Sequence, residues 1–371
     1  MRVDGKPYRT ISAADPAGPV SIIDQTRLPH EFALVGLTDI AETAKAIKHM
    51  LVRGAPLIGV TAAHGLALAM REDPSDSNLV AAAAMLHATR PTAVNLAWAL
   101  ATMRAHLQPL PPPRRSAAAF ARAAELAEED VALCAAIGDH GHALIRKIAA
   151  TKAGAPVNIL THCNAGWLAT VDWGTATAPI YKAHDAGLPI HVFVDETRPR
   201  NQGASLTAWE LAQHGIPHHI IVDNAGGHLM QHGGIDLVIV GTDRTTATGD
   251  VCNKIGTYLK ALAAKDNGVP FFVAAPSPSI DFAVFDGVKD IPIEERGEEE
   301  VSFIQGATAD GRIERVRLTP QTSRTANPAF DVTPARLVTG LITERGIFVA
   351  SETALAAAFP ERVMRREQGL L

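Results

Sequence analysis

Between residues 157 and 275, short apolar runs of strand length alternate with segments patterned as helices, and that alternation leaves the chain few folds to choose from. The runs occupy 157–162, 190–195, 218–223, 237–241 and 271–275, with 347–350 closing the series. Helix-patterned segments at 176–186, 204–214, 226–232 and 254–266 lie between them, often ended by glycine. Strands alternating with helices of this length predict a parallel, doubly wound sheet. The runs are apolar throughout, as strands are when helices cover both faces of the sheet.

Up to about residue 152 the pattern is helical instead. Segments 39–51, 57–71, 78–87, 94–107 and 117–138 are rich in alanine and leucine with few β-branched clusters. Short strands are expected only at 8–11 and 20–24. The stretch QPLPPPRR at 108–115 holds four prolines and reads as a stiff, extended spacer between helices. The acidic stretch IPIEERGEEE at 291–300 reads as a solvated loop. The expected fold is therefore α/β: a mainly helical N-terminal domain, 1–152, followed by a Rossmann-like doubly wound parallel-sheet domain, 153–371.

Composition narrows the function classes. A chain of 371 residues with 47% hydrophobic and 20% charged residues suits a soluble globular protein with a full core. The net charge of −5, with both signs interspersed, offers no electrostatic footprint for nucleic acid or an anionic membrane, so any anion must be captured locally. No apolar run approaches the roughly 20 residues that span a bilayer. MRVDGKPYRT at 1–10 has no hydrophobic signal region, and a cytoplasmic location is expected. Cys134, Cys163 and Cys252 are too few and scattered for a disulfide framework or zinc knuckle, so reduced thiols are expected.

The polar clusters carry the chemistry. THCNAG (161–166), DETRPRNQGA (195–204), GTDR (241–244) and NKIGTY (253–258) each begin where an apolar run stops. In open α/β sheets that carboxyl edge is where ligands bind. Cys163 follows a strand and precedes a glycine turn, where a helix N-terminus would favour the thiolate. It suits a nucleophile, base or oriented dipole, and equally a small core residue. His162 points the other way if the strand continues. Asp243 leaves an apolar strand, and partial desolvation there would raise its pKa and suit a general acid; a helix cap or a partner for Arg244 is the plainer alternative. Asp195 and Glu196 read as scaffolding paired with Arg198 and Arg200.

Arg53-Gly54-Ala55-Pro56 joins two helical segments and sets a guanidinium beside free backbone N–H groups, an arrangement that suits a phosphate as well as a simple turn. Arg90 and Lys254, the latter read at a strand-to-helix corner, are further cations for a local anion clamp. No dinucleotide fingerprint and no P-loop is present. His228 and His232 have helical i, i+4 spacing but share no acidic ligand, and His140/His142 and His218/His219 read as surface or edge residues.

These segments, with RGAPLIG at 53–59, RPT at 90–92 and NPAFDVTP at 327–334, resemble the methylthioribose-1-phosphate isomerases over nearly the whole chain, from about Ser21 to Phe348. The wider superfamily also holds ribose-1,5-bisphosphate isomerases and regulatory subunits of translation initiation factor 2B. The resemblance implies aldose-to-ketose conversion of a small-molecule sugar phosphate in methionine salvage. It also implies a homodimer, no cofactor and no metal. It assigns Cys163 and Asp243 to the catalytic pair and Arg53, Gly54, Ala55, Arg90, Gln202, Asn253 and Lys254 to substrate contacts. Three positions depart from the family pattern: Thr242 and Cys252 stand where alanine is commoner, and Asn201 where leucine is. Asn201 would add a hydrogen bond near the sugar, and Cys252 would be a packing residue or an oxidative partner of Cys163.

Overall fold

A computed structural model describes residues 1–368. Its centre is a seven-stranded sheet in the order Gly346–Phe348, Gly340–Thr343, Phe271–Ala274, Leu237–Val240, Val157–Thr161, Ile190–Asp195, His218–Ile221. Every neighbouring pair runs parallel except Gly340–Thr343 with Gly346–Phe348. Alternate side chains leave to opposite cores. Ile159, Val192, Val194, Leu237 and Ile239 join one cluster, while Leu160, Val238, Val240, Phe271 and Val273 join the other. That is why the runs look continuously apolar in the sequence.

From Val157–Thr161 the chain winds outward one way through Ile190–Asp195 and His218–Ile221, then returns to add Leu237–Val240 on the other side. The strand order therefore reverses between Val157–Thr161 and Leu237–Val240. At such a switch point the crossovers diverge and leave a crevice beyond the strand ends.

Before the sheet come helices Ile40–Lys48, Ala55–Glu72, Asp76–His87, Val94–Leu107 and the 38-residue Pro112–Ala149. Ala55–Glu72 is apolar on all sides and is buried along almost its entire length. Leu57, Leu66 and Leu68 are fully buried there, each worth roughly 1.5–3 kcal/mol by transfer from water. The helix N-terminus is thereby anchored at the crevice. A three-stranded antiparallel sheet, Ile11–Ser12, Val20–Ile23 and Leu34–Leu37, flanks this layer. A second four-stranded sheet, in the order Ile280–Asp281, Arg244–Thr246, Val251–Lys254, Phe330–Thr333, grows out of the main one just after Asp243.

Several expectations need correction. The proline stretch is not an extended spacer throughout, because Pro112 and Pro113 open the long helix; their missing N–H groups fall where a helix has no internal acceptors. The strand Gly340–Thr343 escaped the sequence reading, and the expected closing strand is instead its antiparallel hairpin partner, Gly346–Phe348. Asn253 and Lys254 close a strand at the expected strand-to-helix corner, and the helix read from 254 starts at Thr257 instead. The segment 204–214 begins as the π-helical turn Gly203–Thr207 before becoming α-helical at Ala208–Gln213. The acidic stretch is not merely solvated, since Glu294 meets Arg90 at 3.1 Å and Glu300 bonds Arg200 and Arg296. Burial opposes the charge of Glu300, yet the two guanidiniums bring its pKa down to about 2.

Candidate active site

Cys163 lies two residues beyond Val157–Thr161 and Asp243 three beyond Leu237–Val240, so both stand over the switch point. Cys163 is buried with φ +64°, Thr197 has φ +64° and Asn201 +56°. Left-handed backbone at non-glycine residues costs of order 1–3 kcal/mol each and persists only where neighbours hold it. Here they do. The Cys163 N–H donates to Thr197 Oγ1 at 2.8 Å, and Thr207 Oγ1 donates to the Cys163 carbonyl at 2.7 Å. Asp223 in turn accepts the N–H groups of Thr197 and Arg198 at 2.7 and 2.8 Å.

Arg53, Arg90, Cys163, Asp243 and Lys254 form one electrostatic neighbourhood. Burial pushes the Asp243 carboxyl above its ordinary value, against the pull of Lys254, Arg90 and Arg53. This is the direction expected of an acid leaving an apolar strand. Burial likewise raises the Cys163 thiol, outweighing Arg53 and Lys254. The expected thiolate-favouring helix N-terminus is replaced by a short 3₁₀ turn, Trp167–Ala169, so Cys163 is a neutral thiol near neutral pH. Desolvation lowers Lys254, whose ammonium donates to the Ala329 carbonyl at 3.0 Å and lies 4.5 Å from the centre of the Phe330 ring.

Arg53 holds Asn164 at two points: Nη1 donates to the side-chain oxygen and Nη2 to the carbonyl at 2.7 Å. Next to it, Gly54 has φ +95°, and a Cβ there would lie 2.5 Å from the Ala169 carbonyl. Only glycine lets the buried helix begin so close to the Cys163 loop. Arg53, Asn201 and Gln202 line a cavity of about 440 Å³ with Met50, Leu206 and Phe303. Ala55, Arg90, Asp243 and Cys252 line a second of about 40 Å³. The Arg53–Ala55 turn therefore contributes to both. The side-chain oxygens of Asn201 and Gln202 are buried without hydrogen-bond partners among the described residues, leaving two polar atoms beside the larger cavity. Asn253 donates to Thr257 Oγ1 at 3.0 Å, one residue before Lys254.

Other sequence candidates resolve elsewhere. Asp195 pairs with His162 Nδ1 at 2.8 Å and Lys260 at 3.1 Å, not with the neighbouring arginines. His162, Asp195 and Asp223 have the closeness of a metal-ligand group, but the Lys260 ammonium reaches both Asp195 and the Asp223 carbonyl and supplies the counter-charge from the chain itself. Arg244 meets Asp281 and the Thr92 carbonyl. His228, on the short helix Ala225–Gln231, and His232, just past its end, bring their rings to 4.3 Å at a tilt. Sequence reading missed Thr197, Thr207 and Glu210, which support the Cys163 turn from below. Nothing in their spacing marks them as buried and polar.

Comparison with known proteins sets this geometry in context. The Initiation factor 2 subunit family matches residues 51–350. A Methylocella silvestris protein named methylthioribose-1-phosphate isomerase is 70% identical over 364 residues, covering 98% of this chain and 100% of that one. The crystal structure of 5-methylthioribose 1-phosphate isomerase from Pyrococcus horikoshii superposes with a TM-score of 0.82 at 40% identity, covering 96% of this chain and 97% of the other. A structure described as translation initiation factor eIF-2B, subunit delta, from A. fulgidus gives a TM-score of 0.78 at 38% identity, covering 95% and 100%.

Proposed function

This chain belongs to the Initiation factor 2 subunit family, and within it we propose that the protein is an isomerase converting 5-methylthioribose 1-phosphate to 5-methylthioribulose 1-phosphate. Its support is the meeting of a desolvated acid, a neutral thiol and three cations at the sheet's switch point, together with the name carried by a 70% identical relative.

The chemistry follows from the substrate. Phosphorylation of the anomeric oxygen blocks spontaneous ring opening, so the ring must be forced open. Protonated Asp243 gives its proton to the ring oxygen as the bond from C1 to that oxygen breaks. Hydrogen leaves C2 and arrives at C1, either as a proton carried by a base or as a hydride, while the C2 hydroxyl becomes the ketone and its proton restores the Asp243 acid. Cys163 serves as that base or as an oriented dipole over the transition state. The raised thiol favours the dipole, because a neutral thiol is a poor base. Arg53, Gly54, Ala55, Arg90, Gln202, Asn253 and Lys254 contact the sugar phosphate. Arg53 and the N–H groups opening helix Ala55–Glu72 suit a dianion, and a closed, desolvated site strengthens each of these contacts.

The same proposal includes a cytoplasmic homodimer working in methionine salvage, with residues 1–152 and 153–371 as its two domains. An enzyme acting on 5-deoxyribose 1-phosphate or ribose 1,5-bisphosphate is the neighbouring alternative; a bisphosphate would require further cations, and Lys48, Arg200, Arg296 and Arg315 line the larger cavity, with Arg200 and Arg296 already paired to Glu300. A noncatalytic regulatory subunit is the second reading, favoured by the likeness to the A. fulgidus protein. Asp243→Asn separates the classes. If ligand binding and folding survive while turnover disappears, the protein is an enzyme; if the wild type binds sugar phosphate and never turns it over, the regulatory reading stands.

A further inference from the structure

Glu210 is a carboxyl group with 1% exposure in the helix Ala208–Gln213, below the Cys163 turn. It accepts four hydrogen bonds. Oε1 takes Asn164 Nδ2 at 2.7 Å and the Leu168 N–H at 3.0 Å; Oε2 takes the Trp167 N–H at 3.0 Å and the Tyr181 hydroxyl at 2.8 Å. The fit leaves no spare room, since a Cβ on Gly166 would lie 1.8 Å from Oε2.

The Asn164 amide faces two ways. Its NH₂ group is held by Glu210 and, at 3.1 Å, by Thr207, so its oxygen has a fixed direction, and that oxygen accepts Arg53 Nη1. The Asn164 carbonyl accepts Nη2. A guanidinium on a flexible stem is thus clamped in one plane by a side chain that is itself clamped from behind. Burying a carboxyl group here is costly, and a cap for a three-residue 3₁₀ turn requires fewer than four acceptor contacts. The direction of the bonds, from Glu210 through Asn164 to the cavity wall at Arg53, points to a positioning role.

We infer that Glu210 is a positioning residue for substrate capture: acting through Asn164, it pre-orients the Arg53 guanidinium for the phosphate of the incoming sugar. The inference rests on the function proposed above for the identity of the ligand, though not for the relay itself. Preorganisation of this kind improves binding by removing the cost of ordering a long side chain. Its signature is a rise in KM greater than any fall in kcat, together with coupling to Arg53.

The test is a double-mutant cycle on the full-length protein with Glu210→Gln, Arg53→Lys and the pair. KM and kcat are measured on methylthioribose 1-phosphate, and the dissociation constant of inorganic phosphate is measured by calorimetry. Glu210→Gln is expected to raise KM and the phosphate constant about tenfold alone and less than about twofold beside Arg53→Lys, because residues in one hydrogen-bond network couple. Tyr181→Phe removes another partner of Glu210 without touching Asn164 and is expected to leave both constants unchanged. If Glu210→Gln does not fold, Asn164→Leu interrupts the same relay and is expected to raise both constants in its place. Equal effects of Glu210→Gln in the two backgrounds, or equal effects of Tyr181→Phe and Glu210→Gln, overturn the relay while leaving the proposed function intact. A wild type that binds phosphate without turning over the sugar overturns the function instead, and the phosphate constants alone then decide the relay.

Discussion

Replacing Glu210 by glutamine should change how stability depends on pH, by an amount the burial sets. Burial pushes Glu210 from 4.5 up to about 7, against the hydrogen bonds from Asn164, Leu168, Tyr181 and Trp167. A carboxyl raised in the folded state binds its proton more tightly there than in the unfolded chain. Its contribution is therefore fully present below the unfolded value and is lost as pH rises through the folded one. Between pH 5 and pH 8 that loss amounts to a few kcal/mol for this one group. A glutamine in its place would not titrate, so urea unfolding of wild type and Glu210→Gln at a series of pH values should give curves that differ in slope. The wild type should lose a few kcal/mol relative to the variant across that interval. Parallel curves would mean that Glu210 ionises normally, and the account of a desolvated, over-satisfied carboxyl beneath the site would be wrong.

Other consequences are read on activity or stability. Asp243→Asn should lower kcat by roughly 10²–10⁴, the usual worth of a positioned acid, with the phosphate dissociation constant little changed by calorimetry. In the wild type, turnover should be lost as pH rises through the elevated Asp243 value, because the required form is the protonated one; a fall toward acid on that limb would reverse its assigned role. Gly54→Ala forces a Cβ against Ala169 at φ +95°, which should cost of order 1–3 kcal/mol in denaturant unfolding and raise KM. Cys163, with its thiol raised by burial, should react slowly with iodoacetamide at pH 7 and faster toward pH 9, as mass spectrometry of the labelled peptide would record; rapid labelling at pH 7 would mean a preformed thiolate.

The parallel sheet was legible because burial on both faces removes the usual alternation and leaves bare apolar runs, as in Leu237–Val240. The positions of Cys163 and Asp243 followed directly, since a polar residue just past such a run stands at the sheet's carboxyl edge. Gly340–Thr343 was hidden because it is only four residues long and opens on glycine, which weakens a strand. The prolines at 112 and 113 misled because the same residue stops a helix interior and starts a helix end. Glu210 was hidden for a deeper reason. In WELAQ a glutamate resembles the solvated face of a helix, and only the tertiary fold brings the Asn164 amide and two backbone N–H groups to it. The thiol was misjudged because local chain direction suggested a helix dipole, whereas burial, a property of the whole fold, decides its pKa.

The measurement that bears most directly on the account is conversion of 5-methylthioribose 1-phosphate by the purified protein, followed by phosphorus NMR with Asp243→Asn beside it. The account predicts that the aldose phosphate signal gives way to that of the ketose phosphate with the wild type and persists with the variant. An unchanged signal with folded wild type, or equal conversion by the variant, would contradict it.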